Sequence, residues 1–268
     1  MSEWVVAPAA APGAAGTFRL DGKVAIVTGG GGAIGSATCR VLAGAGASVA
    51  CLDLSLDTAQ AVVLEITQAG GRAVALVCDV ASEASVNASM GEAVATLGNP
   101  QVVVHCAAML DKTAKITDYS LSEWNEVVGT NLTGAFLVSR AALPPMIAAG
   151  GGSIVHIASM HGHVARAGRA AYGTTKGGLI MLAKTLAVDH AQDNIRVNTI
   201  SPGGVETRRT AFRYKDDPEG KRQTLARYPM LRYCQPVEIA NTALFLASDA
   251  SSFITGTDVA VDGGFTTL

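Results

Sequence analysis

Tyr172 and Lys176 stand four residues apart at the start of an apolar run rich in Ala, Gly and Leu. On a helix that spacing puts both side chains on one face, one above the other. A free tyrosine loses its proton at a pH of about 10, so its phenolate is scarce near neutrality. An ammonium held beside it favours the phenolate and brings the hydroxyl into a range useful for acid–base chemistry. Ser159 precedes the pair by thirteen residues, at the end of the apolar run Ser153–Ala158. A hydroxyl at a strand end can face a helix start across a short loop. There it can hydrogen-bond a substrate oxygen that the tyrosine protonates or deprotonates. A Tyr and a Lys at helical spacing are more often an ordinary surface pair, so the reading depends on what the chain builds around them.

Strand-like runs alternate with helical patterns along the chain. Strands are expected at Lys23–Thr28, Ser48–Asp53, Ala73–Cys78, Val102–Ala107, Ser153–Ile157, Ile195–Ile200 and Asp258–Val261. Helices are expected from Gly32 to about Ala45, over Leu56–Gln68 and Ser82–Thr96, within Ser122–Ile147 with an end near Pro144-Pro145, and over Ala171–His190 and Val237–Ala247. Such alternation means βαβ units: one doubly wound parallel sheet of seven strands with helices on both faces, in a single domain over 19–268. The strands lack polar alternation, as expected when both faces are covered. Hydrophobic residues make up 49% and charged residues 16% of the 268, which fits a heavily buried sheet and large contacts between copies. Ser201–Gln235 shows no regular element, and a loop that long in a compact domain is often a lid; it is read as a lid or substrate segment over 204–235.

Thr28-Gly-Gly-Gly-Gly-Ala-Ile-Gly35 follows the first strand and opens a helix. Glycines there let the backbone turn tightly and approach a pyrophosphate, which sits on the helix's free N–H groups and positive end. Asp53 ends the second strand, where a carboxylate can accept hydrogen bonds from the two hydroxyls of an adenosine ribose and would repel a 2′-phosphate. No Lys or Arg lies in Gly29–Ser36 or directly after Asp53 to attract that phosphate, which favours NAD over NADP. The plainer role for Asp53 is an N-cap for the helix from Leu56, and one residue can serve both purposes.

Together these motifs resemble the short-chain dehydrogenase/reductase family, from Leu20 to the C-terminus. The resemblance also rests on Cys-Asp-Val at Cys78–Val80, Asn-Leu-Thr-Gly at Asn131–Gly134, Ser-Pro-Gly-Gly-Val-Glu-Thr at Ser201–Thr207, and the ending Ile254–Phe265. It implies a Rossmann-like fold and an enzyme that interconverts a secondary alcohol and a ketone by hydride transfer with NAD. It implies Tyr172 as acid/base, Lys176 as the group that lowers its pKa and holds the nicotinamide ribose, and Ser159 as the residue orienting the substrate oxygen. Asn131 is similar to the asparagine that anchors a water in the proton relay. Gly29, Gly32, Ile34 and Gly35 match the pyrophosphate and adenosine side of the cofactor site. Leu54 beside Asp53, Asp79 with Val80, and Cys106, Ala107 and Ala108 fall in the same site by resemblance. Pro202, Gly203, Val205 and Thr207 resemble the segment that binds the carboxamide and phosphates.

Two positions depart from the family pattern. Ala33 stands where a glycine is common, which is tolerable if the backbone is not left-handed. His105-Cys-Ala-Ala108 replaces Asn-Asn-Ala-Gly, so His105 is expected to hold neighbouring backbone in place of asparagine. His156 reads as a satisfied core residue. His161 and His163, on the loop after Ser159, are candidate substrate contacts, as is Arg208. Eight Lys or Arg between Thr207 and Arg232 face three acids, which would suit an anionic substrate but more often marks a solvated lid or a subunit contact. Met230 and Tyr233 could form an apolar pocket wall or pack the lid.

Two other functions keep the same fold: an epimerase, dehydratase or enoyl reductase using the same tyrosine, and a non-catalytic nucleotide-binding sensor or structural paralogue. The net charge of −2 gives no reason to expect nucleic acid or a membrane as partner. The five cysteines lack C-x-x-C spacing and read as reduced thiols of a cytoplasmic protein, and no cluster has metal-ligand spacing. Residues 1–18 read as a flexible or draped Ala/Pro/Gly-rich extension rather than a signal peptide. The family resemblance implies a homotetramer or homodimer.

Overall fold

A computed structural model of the chain describes residues 16–267. Its first half runs β1 (Val24–Thr28), α1 (Ala33–Gly44), β2 (Ser48–Asp53), α2 (Leu56–Gln68), β3 (Ala73–Val77), α3 (Glu83–Leu97) and β4 (Val102–His105). Next, α4 (Leu121–Val128) passes through a π-turn at Gly129–Thr133 into α5 (Gly134–Ala148), then β5 (Gly152–Ile157) and α6 (Ala170–Asp189). The chain ends with β6 (Ile195–Pro202), α7 (Arg208–Arg213), α8 (Pro218–Leu225), α9 (Pro236–Ala247) and β7 (Asp258–Val261). All neighbouring strands are parallel, in the order β3-β2-β1-β4-β5-β6-β7. The seven-stranded, doubly wound expectation is therefore met.

Each strand feeds two cores. In β1, Ala25 and Val27 join the cluster under α1, α2 and α9, while Ile26 joins the cluster under α3, α5 and α6. The first cluster includes Leu42, Val62, Ile66, Ile239 and Leu246; the second includes Val86, Met90, Leu137, Leu143 and Met146. Burying each such side chain is worth about 1.5–3 kcal/mol. The chain winds outward from β1 to β3 and then returns to β4 on the other side of β1. A crevice opens where winding reverses, at the strands' carboxyl ends.

Several local expectations need correction. The stretch expected as one long helix is α4 and α5 joined by a π-turn, in which Gly134 donates its N–H to the Gly129 carbonyl. Pro144 and Pro145 do not end α5, which continues to Ala148. They remove two backbone bonds near the helix end, on a turn where Arg140 and Pro144 face water, while Leu143 and Met146 keep the turn buried against the sheet. The segment after Ser201 is not irregular throughout, because it carries α7 and α8. Asp217 caps α8 by accepting the Gly220 N–H at 2.8 Å, with Pro218 in the first turn. Most of the N-terminal extension lies outside the described residues. Its end docks on α9: the Thr17 carbonyl accepts the Ala250 N–H at 3.2 Å, and the Phe18 ring lies 6.4 Å from that of Phe245.

His105 on β4 and His156 on β5 are register partners, with ring centroids 5.8 Å apart and both rings fully buried. His105 Nδ1 pairs with the Thr28 hydroxyl at 2.8 Å, and His156 Nε2 with the Ser139 hydroxyl at 3.3 Å. His105 Nε2 and His156 Nδ1 have no hydrogen-bond partner, so His156 is only half satisfied, contrary to expectation. His105 does not hold backbone directly either; it fixes Thr28, whose hydroxyl accepts the Ala107 N–H at 3.4 Å. Burial pushes the pKa of both histidines down, His156 to about 4. The unfolded chain takes up these protons near pH 6.5, whereas the folded chain resists. Stability is therefore complete above about pH 6.5 and falls as pH drops towards about 4. His156→Gln should flatten this fall by up to one proton, about 1.4 kcal/mol per pH unit. Urea midpoints from pH 7 to 4.5 test it, and an unchanged slope in the variant would contradict the account.

Candidate active site

The glycine turn between β1 and α1 is sterically forced. Gly29 has φ +62°, and a Cβ there would lie 2.8 Å from the Ala107 backbone. A Cβ on Gly35 would lie 2.0 Å from the Gly29 carbonyl oxygen. Gly32 stands at the helix start with no side-chain cap. This leaves the first N–H groups of α1 and its positive end facing the crevice. Ala33 begins α1 in helical backbone, so its methyl group needs no left-handed conformation. At the end of β2, Asp53 accepts the Gly31 N–H at 2.9 Å, the Ser55 N–H at 3.1 Å and the Thr58 hydroxyl at 3.3 Å. The N-cap of α2 is Ser55 rather than Asp53.

The turn opens into a cleft of about 880 Å³. Of the candidate site residues, Gly29, Gly32, Ile34, Gly35, Cys106, Ala108, Ser159, Tyr172, Lys176, Pro202, Gly203, Val205, Thr207 and Arg208 all line it. Asp53, Leu54, Asp79, Val80, Ala107, Asn131, His161 and His163 are not among the lining residues. Leu54 and Asp79 are exposed, and Asp79 accepts the Ala81 N–H at 2.9 Å. Val80 is buried against Gly134.

Ser159 ends the β5 segment in extended backbone, 6% exposed, and its hydroxyl oxygen accepts the His161 N–H at 3.1 Å. Tyr172 and Lys176 lie on α6, and Lys176 Nζ stands 5.6 Å from the centre of the Tyr172 ring. Lys176 is 2% exposed and donates to the Ile157 carbonyl at 2.7 Å. Burial pulls its pKa down to about 8, against a smaller opposing pull from Cys106. Cys106 itself is pushed up to about 12 by burial, so it stands in the cleft as a neutral thiol. Asn131 sits on the π-turn, fully buried. It accepts the Met109 N–H at 2.8 Å and donates to the Met109 carbonyl at 2.9 Å and to the Thr175 hydroxyl at 3.2 Å. A π-bulge is a frequent mark of functional sites.

The two loop histidines part company. His161 lies edge-on to Tyr172, ring centroids 6.5 Å apart, and its pKa is lowered chiefly by burial. His163 turns away to pair with Asp258 on β7 at 2.7 Å. Four of the cations between Thr207 and Arg232 are engaged elsewhere: Arg222 with Glu219, Lys221 with Glu206, Arg232 with Glu238, and Arg227 over the Phe265 ring. Arg208 remains at the cleft wall. Tyr233 is buried with Tyr228 and Met160, so it packs this segment onto the turn after Ser159, while Met230 is exposed.

Four residues with a bearing on the site escaped sequence reading. Arg40 lines the cleft beside α1 and α2, paired with Glu65 at 2.5 Å. Thr175 sits between Asn131 and the Tyr172 carbonyl, to which it donates at 2.8 Å. Asp111 and Arg169 form a buried pair at the start of α6. Arg40, Asp111 and Arg169 belong to no local motif, and Thr175 lies between Tyr172 and Lys176 at a position whose residue type that spacing does not read.

A family profile described as Enoyl-(Acyl carrier protein) reductase matches residues 31–266. The 2,5-dichloro-2,5-cyclohexadiene-1,4-diol dehydrogenase of Sphingobium indicum is 38% identical over 247 residues, covering 92% of this chain and 97% of that protein. A gluconate 5-dehydrogenase from Burkholderia cenocepacia, solved with NADP and tartrate, superposes with a TM-score of 0.89 at 35% identity, covering 95% of this chain and 99% of that one. A 7α-hydroxysteroid dehydrogenase, solved with NADH and 7-oxo glycochenodeoxycholic acid, gives 0.88 at 36% identity, covering 93% and 96%. With its parallel sheet, glycine turn and Ser159–Tyr172–Lys176 cleft, the chain belongs to the short-chain dehydrogenase/reductase family.

Proposed function

We propose that the chain binds NAD and interconverts a small secondary alcohol and its ketone. The observation that carries this reading is convergence: Ser159 from the end of β5 and Tyr172 and Lys176 from α6 meet in the cleft whose other half is the glycine turn. The residues present fit a dinucleotide. Where a Cβ would collide, at Gly29 and Gly35, the backbone is free of side chains, and the uncapped start of α1 faces the same space. The dehydrogenases similar to this chain include one named for a cyclic diol and one solved with an oxo-steroid, which supports a carbinol carbon as the reacting centre.

The chain's own residues divide the work. In oxidation Tyr172 takes the alcohol proton at its phenolate oxygen. The buried Lys176 ammonium lies close enough to favour that phenolate. Ser159 receives a hydrogen bond from the His161 N–H, which leaves its own O–H to donate to the substrate oxygen. His161 walls the tyrosine as a neutral ring. Asn131 and Thr175 brace α6 against the Met109 segment. A bound nicotinamide supplies the acceptor for the hydride that leaves the carbinol carbon. General acid–base help of this type is worth about 10²–10⁴-fold.

The choice of NAD rests on Asp53, whose carboxylate crosses Gly31 beside the ribose end of the cleft and would repel a 2′-phosphate. Arg40 stands near but is neutralised by Glu65. Self-association is supported by apolar side chains left on the outer faces of α5 and α6: Phe136, Ile147, Met181 and Val188. Five unpaired cysteines suit a reducing cytoplasm. A non-catalytic sensor would have no physical need for Asn131, Ser159, Tyr172 and Lys176 together.

Two measurements test the reading. Tyr172→Phe should keep NAD binding by calorimetry and lose most of the NADH formed from secondary alcohols, since the acid–base group supplies about 10²–10⁴-fold. A variant that retains more than about a tenth of the wild-type rate refutes the role. Asp53→Asn keeps a hydrogen-bond acceptor without the charge. It should lower the NAD-to-NADP ratio of kcat/KM about tenfold, a difference of roughly 1.4 kcal/mol. An unchanged ratio, or a wild type that prefers NADP, contradicts the assignment of Asp53.

A further inference from the structure

The segment after β4 is tied towards α6 at two points. At one, the Met109 backbone N–H and carbonyl both bond the side-chain amide of Asn131, which in turn donates to Thr175 on α6. At the other, Asp111 reaches the start of α6. Its Oδ2 accepts the Tyr172 backbone N–H at 3.0 Å, and its Oδ1 accepts Arg169 Nη1 at 2.9 Å. The Asp111 carbonyl also accepts from Arg169 Nη1. The Asp111 side chain is 0% exposed and that of Arg169 9%.

α6 begins at Arg169 in a non-helical conformation with no side-chain cap of its own. The first N–H groups of a helix need acceptors, and a carboxylate is favoured at that positive end. Here the acceptor comes from far away in sequence, and it meets the N–H of the reacting residue itself. Stability alone does not explain such a pair. A buried ion pair is on average no better than apolar side chains of the same volume. What it supplies is direction: the carboxylate fixes the Tyr172 backbone, and the guanidinium fixes the carboxylate.

We infer that Asp111 and Arg169 are positioning residues for Tyr172, holding the first turn of α6 and balancing the charge against which the tyrosine ionises. The inference rests on the acid–base role of Tyr172 given above. The charged and titratable groups around Tyr172 come from several elements: Lys176 from its own helix, His161 from the turn after Ser159, Arg169 from the helix start, and Asp111 from the segment after β4. Tyr119 stands beyond Asp111, bonded to the Lys112 carbonyl at 2.7 Å and pushed up to about 12, chiefly by burial, so it stays a phenol. Burial pushes the Asp111 carboxyl up, but the Tyr172 N–H, Arg169 and Tyr119 together hold it below the usual range, so it is charged. The pair adds one negative and one positive charge beside Tyr172. Removing either alone leaves the other uncompensated.

Two readouts separate this from a general loss of structure. Hydrogen exchange followed by mass spectrometry needs no activity: in Asp111→Ala, peptides spanning Tyr172 should exchange at least about tenfold faster while β1 and β4 stay protected. The pH profile of kcat/KM for alcohol oxidation reads the charge. Asp111→Asn should move its ascending limb down and Arg169→Gln should move it up, each by about one pH unit. Arg169→Gln also decides the matter alone if Asp111→Asn does not fold. Wild-type exchange at Tyr172 in Asp111→Ala overturns the inference, as do limbs that stay fixed or move in the same direction. A wild-type limb that persists unchanged in Tyr172→Phe sinks the catalytic reading itself, and with it the inference.

Discussion

A single buried ammonium sets the terms for the rest of the structure. Lys176 is 2% exposed, carries a charge, and has one strong acceptor, the Ile157 carbonyl at the end of β5. Burying a cation costs several kcal/mol unless its surroundings are arranged for it. The neighbourhood conforms. His105 and His156, which would repel it if charged, are held neutral by burial and by Lys176 itself. The Cys106 thiol keeps its proton. The lysine's partial compensation is the tyrosine ring one turn back, 5.6 Å away, and a phenolate there would complete it. Under the proposed function, the same charge that strains the interior prepares the Tyr172 oxygen to accept a proton.

The doubly wound sheet makes this arrangement possible. Winding outward to β3 and returning at β4 leaves the ends of β1 and β4 open to one crevice. The glycine turn occupies one side and the end of β5 the other. α6 crosses at the far wall, braced by Asn131 through Thr175 and by Asp111 through the Tyr172 N–H. The cleft is thus assembled from strand ends and helix starts around the rim of the core. The segment carrying α7 and α8 is anchored separately, by Tyr228 and Tyr233 packing on Met160 next to Ser159.

How much of this was legible depended on how local the cause was. Tyr172 and Lys176 were readable because four residues on a helix make one face. Gly29 and Gly35 were readable because a strand, a glycine run and a helix follow one another directly. The inner strands β1, β2, β4, β5 and β6 were readable because strands buried on both faces leave unbroken apolar runs. The misses have non-local or unusual causes. Asp111 finds Arg169 across 58 residues, with nothing in either neighbourhood to mark it. The π-turn at Gly129–Thr133 is bracketed by Gly129 and Gly134, but isolated glycines in a helical pattern do not by themselves mark a π-turn. Pro144 and Pro145 looked like a stop, but tertiary packing of Leu143 and Met146 carries α5 past them. His163 and His161 were indistinguishable in sequence; Asp258, brought in by β7, draws one of them away from the cleft.

The most direct test of the central claim is the pH profile of alcohol oxidation in Lys176→Met beside the wild type. Methionine is unbranched, apolar and only one atom shorter, so it fits the buried position and removes the charge. If the ammonium is what makes the Tyr172 phenolate accessible, the ascending limb of kcat/KM moves up by about one pH unit or more, with the maximal rate partly recovered at high pH. If the limb stays where it is, the tyrosine is not titrating against Lys176, and the account of this cleft is wrong.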